Sequence, residues 1–169
     1  MSLTIFQQRI LPIKDRLYRL AFRLLQNVQE AEDVVQDTMV RIWGKRDEWR
    51  EWQSIEAYCM IAVRNSCLDR LRKHKLKPVR EEGAWEVSST DKDPAEKMMV
   101  KEAMIQIRKC MSALPQNQQL VVHLREVEGL SYNEIAGILD MSLDQVKVNL
   151  FRGRNAIRQS IKCPGKDFL

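Results

Sequence analysis

Apolar side chains along this chain recur at the three-to-four-residue spacing of helices, and the pattern predicts an all-α fold. From Pro12 onward, Ile13, Leu17, Leu20, Ala21, Leu24 and Leu25 make one stripe, with Lys14, Asp15, Arg16, Arg19 and Arg23 mostly on the other side. Pro12 suits a first turn, where its missing N–H costs nothing, and Asn27 ends or interrupts this helix. A second helix is expected over about residues 29–43, with Ala31, Val35, Met39 and Ile42 as its buried stripe and Gly44 as a left-handed stop. A third starts at Ser54 and runs to about Lys75, its apolar face made by Ile55, Tyr58, Ile61, Ala62, Leu68 and Leu71.

The helical period then breaks. Residues 76–93 read Lys-Pro, Glu-Glu-Gly, Ser-Ser-Thr and Asp-Lys-Asp-Pro, a flexible linker whose one large apolar residue is Trp85. Asp93-Pro94 restarts helix as N-cap and first-turn proline. Met98, Val100, Met104, Ile107 and Met111 supply apolar surface up to Leu114-Pro115. A further helix over about residues 116–127 carries Leu120, Val121, Leu124 and Val127, and Gly129 ends it. The expectation is two small helical domains, 1–75 and 94–169, joined by the flexible linker 76–93.

The next stretch carries two helix-start signals eleven residues apart, Ser131-x-x-Glu134 and Ser142-x-x-Gln145. Each has the form of a capping box, in which the hydroxyl satisfies one backbone amide and the Glu or Gln reaches back to another. Only a two-turn helix and the turn Asp140-Met141-Ser142 fit between them. Ile135, Ala136, Leu139, Met141, Val146 and Leu150 would close a small core, with Ala136 where the helices cross. That is a helix-turn-helix, whose second helix is offered to the major groove of DNA. Beyond Asp144 come Lys147, Arg152, Arg154 and Arg158, with no acidic residue before Asp167. A helical hairpin with a solvated basic face is the plainer alternative.

Charge adds to this picture through its placement. The net charge is +5 over 169 residues, which suits a polyanionic partner. Residues 28–38 hold Glu30, Glu32, Asp33 and Asp37 and no base. Residues 64–80 hold Arg64, Arg70, Arg72, Lys73, Lys75, Lys77 and Arg80 against Asp69 alone. The helix dipole favours acids at a helix start and bases at its end, but that small effect does not call for so many bases, and phosphate neutralisation accounts for them better. Acidic and basic patches on one chain suggest two different partners. Between the second and third helices, Trp49 and Trp52 stand among charged residues, with Trp43 just before. They either plug the core from the side or stack on exposed bases.

Cys59, Cys67, Cys110 and Cys163 form no C-x-x-C pair, and His74 and His123 are remote from any metal-ligand spacing. No metal site and no cofactor is expected, and the cysteines read as reduced thiols of a cytoplasmic protein. No segment resembles a signal peptide or approaches membrane-spanning length.

Several stretches together resemble a known family. They are Ala31-Glu-Asp-Val-Val-Gln-Asp-Thr-Met-Val-Arg-Ile-Trp43, Ser54-Ile-Glu-Ala-Tyr, Ile61-Ala-Val-Arg-Asn-Ser-Cys-Leu-Asp-Arg-Leu-Arg72, Leu114-Pro115, Gly129-Leu-Ser-Tyr-Asn-Glu-Ile-Ala136, and Val146-Lys147 with Leu150 and Arg152-Gly-Arg154. They resemble bacterial RNA polymerase sigma factors of the two-domain, extracytoplasmic-function type within the sigma-70 family. The resemblance implies a non-enzymatic subunit that binds core polymerase, recognises the −35 and −10 promoter elements and promotes strand opening. The acidic helix would dock on the clamp helices of the largest polymerase subunit through Asp33, Gln36 and Asp37. Trp49, Trp52, Ser54, Arg64, Asn65, Arg70, Arg72 and Lys73 would hold the −10 element as single strand. The linker would thread the RNA exit path, and the second domain would bind the flap of the second-largest subunit. In the −35 major groove, Gln145, Lys147, Asn149, Arg152 and Arg154 would meet base edges and phosphates. The resemblance also implies an anti-sigma factor as partner, usually membrane-anchored in this family, while this chain itself does not insert in a membrane.

Some residues depart from the family pattern. Asp140 stands where many members carry Gly, and Asp tolerates a left-handed backbone. Val148, Asn149 and Phe151 replace frequent Ser, Arg and His, which bears on the promoter sequence rather than on docking. Gly153 replaces a usual Ala at about 1 kcal/mol of helix stability. Two other function classes stay in view. One is a helix-turn-helix regulator that binds duplex DNA without being a polymerase subunit, which would need no single-strand surface. The other is a nuclease using Asp33 and Asp37 at i, i+4, which lacks a third ligand or a base nearby.

Overall fold

The structure is a computed structural model that describes residues 1–74 and 93–162. The expected linker with Trp85, the end of the third helix at Lys75, and Cys163 lie outside the described residues. The chain divides into two compact units, residues 1–85 and 86–169. Every element among the described residues is helical.

The first unit opens with α1 (Ser2–Ile5), which runs through a π-turn (Phe6–Ile10) and a 3-10 turn (Leu11–Ile13) into α2 (Lys14–Leu25). Next come α3 (Val28–Gly44), a 3-10 turn (Arg46–Glu48) and α4 (Ile55–His74). Helices α2, α3 and α4 pack pairwise around Leu17, Leu20, Ala31, Val35, Ile42 and Val63. Gln26, not Asn27, ends α2: it takes φ 54°, and its N–H donates to Phe22 O. Asn27 begins the next helix instead, its Oδ1 accepting the Glu30 N–H at 2.9 Å. Asn is among the best N-caps because its short side chain reaches that orphan amide. Gly44 stays inside α3 and takes no left-handed turn.

The face that α4 buries is rotated from the one expected. Ile55, Cys59, Met60, Val63 and Cys67 are buried, whereas Tyr58, Ile61, Ala62, Leu68 and Leu71 are half-buried. Apolar residues lie nearly all round this helix, so periodicity does not choose a side. The buried line at i, i+4, i+8 and i+12 includes two cysteines, which behave as small hydrophobes. Burial pushes the Cys59 and Cys67 thiols up to about 12.

The second unit contains α5 (Pro94–Ser112), α6 (Gln116–Val122), a π-turn (His123–Val127), α7 (Tyr132–Leu139) and α8 (Leu143–Lys162). Helix α8 packs on α5, α6 and α7. Asp93 sits at the N-cap of α5 with Pro94 behind it, but its side chain makes no capping hydrogen bond. Met111 is buried at the far end of α5, Met104 and Ile107 are half-buried, and Met98, Met99 and Val100 are exposed. The π-turn adds a residue to the helical repeat and turns the following side chains. As a result Val127 swings out to 49 % exposure. Glu128 turns inward, 3.4 Å from the buried His123 Nε2.

Candidate nucleic-acid interface

In the second unit both capping boxes form. The Ser131 N–H donates to Glu134 Oε2 at 2.7 Å and the Glu134 N–H to Ser131 Oγ at 3.2 Å. The Ser142 N–H donates to Gln145 Oε1 at 3.0 Å and the Gln145 N–H to Ser142 Oγ at 3.2 Å. Between them Asp140 closes α7 at φ 53°, and the Met141 N–H donates to Ala136 O at 3.0 Å. The turn is therefore held by local hydrogen bonds at every step. Ile135, Leu139, Val146 and Leu150 are buried in its small core, Ala136 and Met141 are half-buried, and Ile138 joins them.

Gly153 gains a physical account. It is buried against α6, where a Cβ would meet Val122 Cγ2 at 2.6 Å and Gln118 O at 3.6 Å. The Val122 side chain, rather than the α6 backbone, stands where an alanine methyl would go.

The sequence-predicted readers on α8 divide into three kinds. Lys147 and Arg152 are exposed and enter no ion pair among the described residues. Gln145 and Asn149 are partly spent on their own helix: the Gln145 carboxamide oxygen closes the capping box, and Asn149 Nδ2 donates to Gln145 O at 2.8 Å. Arg154 is exposed and paired. Its Nε donates to Glu126 Oε1 at 2.7 Å and a second nitrogen pairs with the same carboxylate. That hydrogen bond raises its pKa, with charge from Glu126 and Tyr132 adding. Arg154 thus ties α8 to the π-turn through an exposed pair, its side chain still 44 % exposed. Val148 and Phe151, noted above as departures from the family pattern, project at 45 % and 67 % exposure. Phe151 shares a shallow groove with Tyr132, Lys147, Leu150, Arg154, Asn155 and Arg158.

In the first unit, Asp33, Gln36 and Asp37 all face solvent, on the side of α3 away from Ala31, Val34, Val35 and Thr38. Val40 continues the row at 73 % exposure. A large apolar residue on the polar side of a helix is the signal that could have found it. The helix dipole acts within the first turn, which accounts for Glu30 but not for Asp33 or Asp37.

The tryptophans of the connection have opposite fates. Trp49 is 4 % exposed. Its Nε1 donates to Ile42 O at 3.1 Å, and its ring stacks on Phe6 at 6.3 Å and meets Trp43 edge-on at 6.0 Å. It is a core plug with no face left for a base, which corrects its assignment to DNA. Trp52 is half-buried and stacks on Tyr58 at 3.8 Å, with Lys45 Nζ 5.8 Å from the Tyr58 ring. A hydrogen bond with Tyr58, together with the charge of Glu48, raises the Lys45 pKa. Ser54 caps α4, its Oγ accepting the Ala57 N–H at 3.2 Å.

Along α4, Asn65 and Lys73 are exposed and Arg64 is half-buried. Arg72 pairs with Asp69 at 3.5 Å. Arg70 reaches across to α3, 3.3 Å from Asp37, and His74 Nε2 lies 3.4 Å from Glu30. The acidic and basic patches therefore meet at their margin. Exposed pairs of this kind contribute about 0–1 kcal/mol, so either charge can be taken over by a better partner. Among the described residues no cluster of three or more His, Cys, Asp or Glu is gathered, and no helix is long and apolar enough to cross a membrane.

Comparison with known proteins points the same way for both units. Sigma-70 region 2 matches residues 11–77, and Sigma-70, region 4 matches residues 104–157. The ECF RNA polymerase sigma factor SigW of Bacillus subtilis is 28 % identical over 158 residues, covering 88 % of this chain and 84 % of that one. The ECF RNA polymerase sigma factor SigE of Mycolicibacterium smegmatis is 30 % identical over 148 residues, covering 85 % of this chain and 56 % of that one. In fold the chain is similar to the sigma factor RpoE of Bartonella quintana, solved with the anti-sigma factor NepR, at a TM-score of 0.75 and 23 % identity over 94 % of this chain and 98 % of that one.

Proposed function

The chain belongs to the extracytoplasmic-function group of the sigma-70 family, and from that premise we propose how its surfaces share the work. It is an alternative sigma factor, which binds RNA polymerase for promoter recognition and catalyses no reaction. A duplex-binding regulator outside polymerase is not favoured, because such a protein has no use for the region 2 half.

The solvent-facing row Asp33, Gln36 and Asp37 docks on the clamp helices of the largest polymerase subunit, with Val40 as an apolar contact beside the charges. This row carries the reading, because neither helix stability nor core packing requires those residues there. The Trp52–Tyr58 stack offers a platform on which an unpaired base can continue, with Lys45 beside it, while Arg64, Asn65 and, roughly 22 Å from Tyr58 along α4, Lys73 offer cation and amide donors to the −10 strand. Base stacking of this kind is worth ~1–3 kcal/mol per base and needs no chemical step. Arg70, held by Asp37, and Arg72, held by Asp69, add charge to the same strand once those exposed pairs open. Ser54 serves by starting α4 at the right place.

In the second unit α8 enters the −35 major groove, with Lys147 and Arg152 on phosphate or base edges, and Gln145 and Asn149 contributing the atoms that their helix leaves open. The exposed Met98, Met99 and Val100 of α5 form the apolar surface available to the flap of the second-largest subunit. An anti-sigma factor, membrane-anchored in the usual arrangement, would hold the protein inactive in the cytoplasm by covering these two polymerase-binding faces.

The test is a binding measurement with core polymerase. Asp33→Ala with Asp37→Ala lowers core affinity at least tenfold, about 1.4 kcal/mol, while circular dichroism and thermal unfolding stay unchanged. Unaltered core affinity would show that the acidic row is not the docking surface.

A further inference from the structure

Among residues 45–53, the connection between α3 and α4, only Trp49 is buried. The N–H groups of Lys45, Glu48 and Glu51 donate to Ile42, Lys45 and Glu48 O, each three residues back, so those bonds curl the connection locally. Trp49 is what roots it in the bundle. One wall of the Trp49 site comes from the opposite end of the unit. Residues 1–9 bury no side chain, and the helical core around Leu17, Leu20 and Ile42 is built from later residues. Yet the Phe6 ring lies over Trp49 at 6.3 Å with 16° between the planes, and it meets Trp43 edge-on at 5.3 Å. Both separations fall in the range of favourable ring pairs. The π-turn that Phe6 begins also packs on α4. The opening segment therefore touches the end of α3, the middle of the connection and α4.

Trp52 follows Trp49 by three residues, a reach of roughly 10 Å at most. Its ring stacks on Tyr58 at 3.8 Å, and Lys45 Nζ lies 5.8 Å from the same Tyr58 ring. Lys45 and Trp52 thus stand at the two ends of the connection and meet at one tyrosine, with Trp49 rooted between them. Resting on the assignment of the Trp52–Tyr58 stack to the −10 strand, we propose that Phe6 is a positioning residue for that strand. By clamping Trp49 against Trp43, it holds the connection so that Trp52 and Lys45 present a set platform to an unpaired base. Phe6 itself touches no DNA. Without its ring the connection samples other shapes, and the cost appears when a base stacks, because the loop must then be ordered on binding. Core docking, which uses Asp33, Gln36 and Asp37 of α3, does not depend on Phe6.

The experiment uses holoenzyme made from the full chain and core polymerase, with a single-stranded −10 oligonucleotide from a promoter that the holoenzyme transcribes. Each base in turn is replaced by an abasic site, and the ratio of abasic to intact Kd is read. In wild type the ratio reaches about fivefold or more at one position at least, the worth of a stacked base, and Trp52→Ala brings it to about one. Phe6→Ala lowers the same ratio about threefold, the worth of a ring pair, and leaves core affinity and the thermal unfolding of the helical core in place. Phe6→Tyr, which keeps the ring, keeps the ratio. Phe6→Leu, with bulk but no flat ring, falls between and reads the same effect in a better-packed variant. The inference is overturned if Phe6→Ala leaves the ratio at its wild-type value while Trp52→Ala lowers it. It is equally overturned if Phe6→Ala weakens core, intact and abasic binding by one common factor, as a purely structural ring would. A wild-type ratio near one at every position, or one that Trp52→Ala leaves alone, overturns the platform reading first and the inference with it.

Discussion

Gly153→Ala tests the packing that holds the reading helix in place. The added Cβ would sit 2.6 Å from Val122 Cγ2, against an optimum of roughly 3.5–4.0 Å for two carbons. Val122 cannot turn away cheaply, because a β-branched side chain has one favoured rotamer in a helix. Gln118 O lies 3.6 Å away from the same point, so sliding sideways meets backbone. Overpacking of this kind costs about 1–3 kcal/mol, whereas alanine in place of a helical glycine gains about 1 kcal/mol. The net expectation is a loss of about 1 kcal/mol, or roughly 4–8 °C in the melting temperature of a domain of this size. Gly137 supplies the control. It lies in α7 with nothing within 4 Å of its Cβ position, so Gly137→Ala collects the propensity gain alone and stabilises by up to about 1 kcal/mol. Thermal unfolding of the full chain reads both, and Val122→Ala added to Gly153→Ala relieves the clash. If Gly153→Ala stabilises as much as Gly137→Ala, the close approach of α6 and α8 does not exist.

The remaining predictions concern single residues whose roles have been separated. Trp49→Ala unfolds or strongly destabilises the first unit, by about 3–5 kcal/mol as for other buried tryptophans, whereas Trp52→Ala spares stability and weakens single-stranded −10 binding by ~1–3 kcal/mol; equal effects on stability would undo the distinction. Arg152→Ala reduces the slope of log affinity against log salt for duplex −35 DNA by about 0.9, the share of one phosphate contact. Arg154→Ala changes that slope less, because Glu126 competes for the guanidinium, and an equal reduction would make Arg154 a full phosphate ligand. With thiol pKa values near 12, Cys59 and Cys67 hold about one thiolate in ten thousand at pH 8. Mapping by mass spectrometry after alkylation should find both unmodified in the folded protein and modified in denaturant; rapid labelling of the folded form contradicts their burial.

What could be read from the residues alone depended on the range of the interaction. The two capping boxes and the left-handed Asp140 are chemistry within four residues, and Ser131, Glu134, Ser142 and Gln145 stand where that chemistry needs them. The all-helical class follows from the same local period. Features that rest on distant partners were not legible. The Arg154–Glu126 pair spans 28 residues, beyond what a local pattern reveals. Trp49 finds its ring partner Phe6 from the far end of the unit. The buried face of α4 was misjudged because an apolar surface on all sides leaves the choice to tertiary packing. Val127 failed for another reason, since a single π-turn shifts the register that a 3.6-residue period assumes.

The central claim is that docking on the clamp helices and −35 recognition lie on separate helices, α3 and α8. Transcription from a promoter library by core polymerase and purified protein, with start sites read from the transcripts, tests it most directly. Wild-type protein should give core-dependent initiation at a defined promoter class. Asp33→Ala with Asp37→Ala should abolish it on every template, while Phe151→Ala should keep initiation and change which −35 sequences are used. Undiminished initiation by the α3 variant, or loss of all initiation with the α8 variant, would contradict that division.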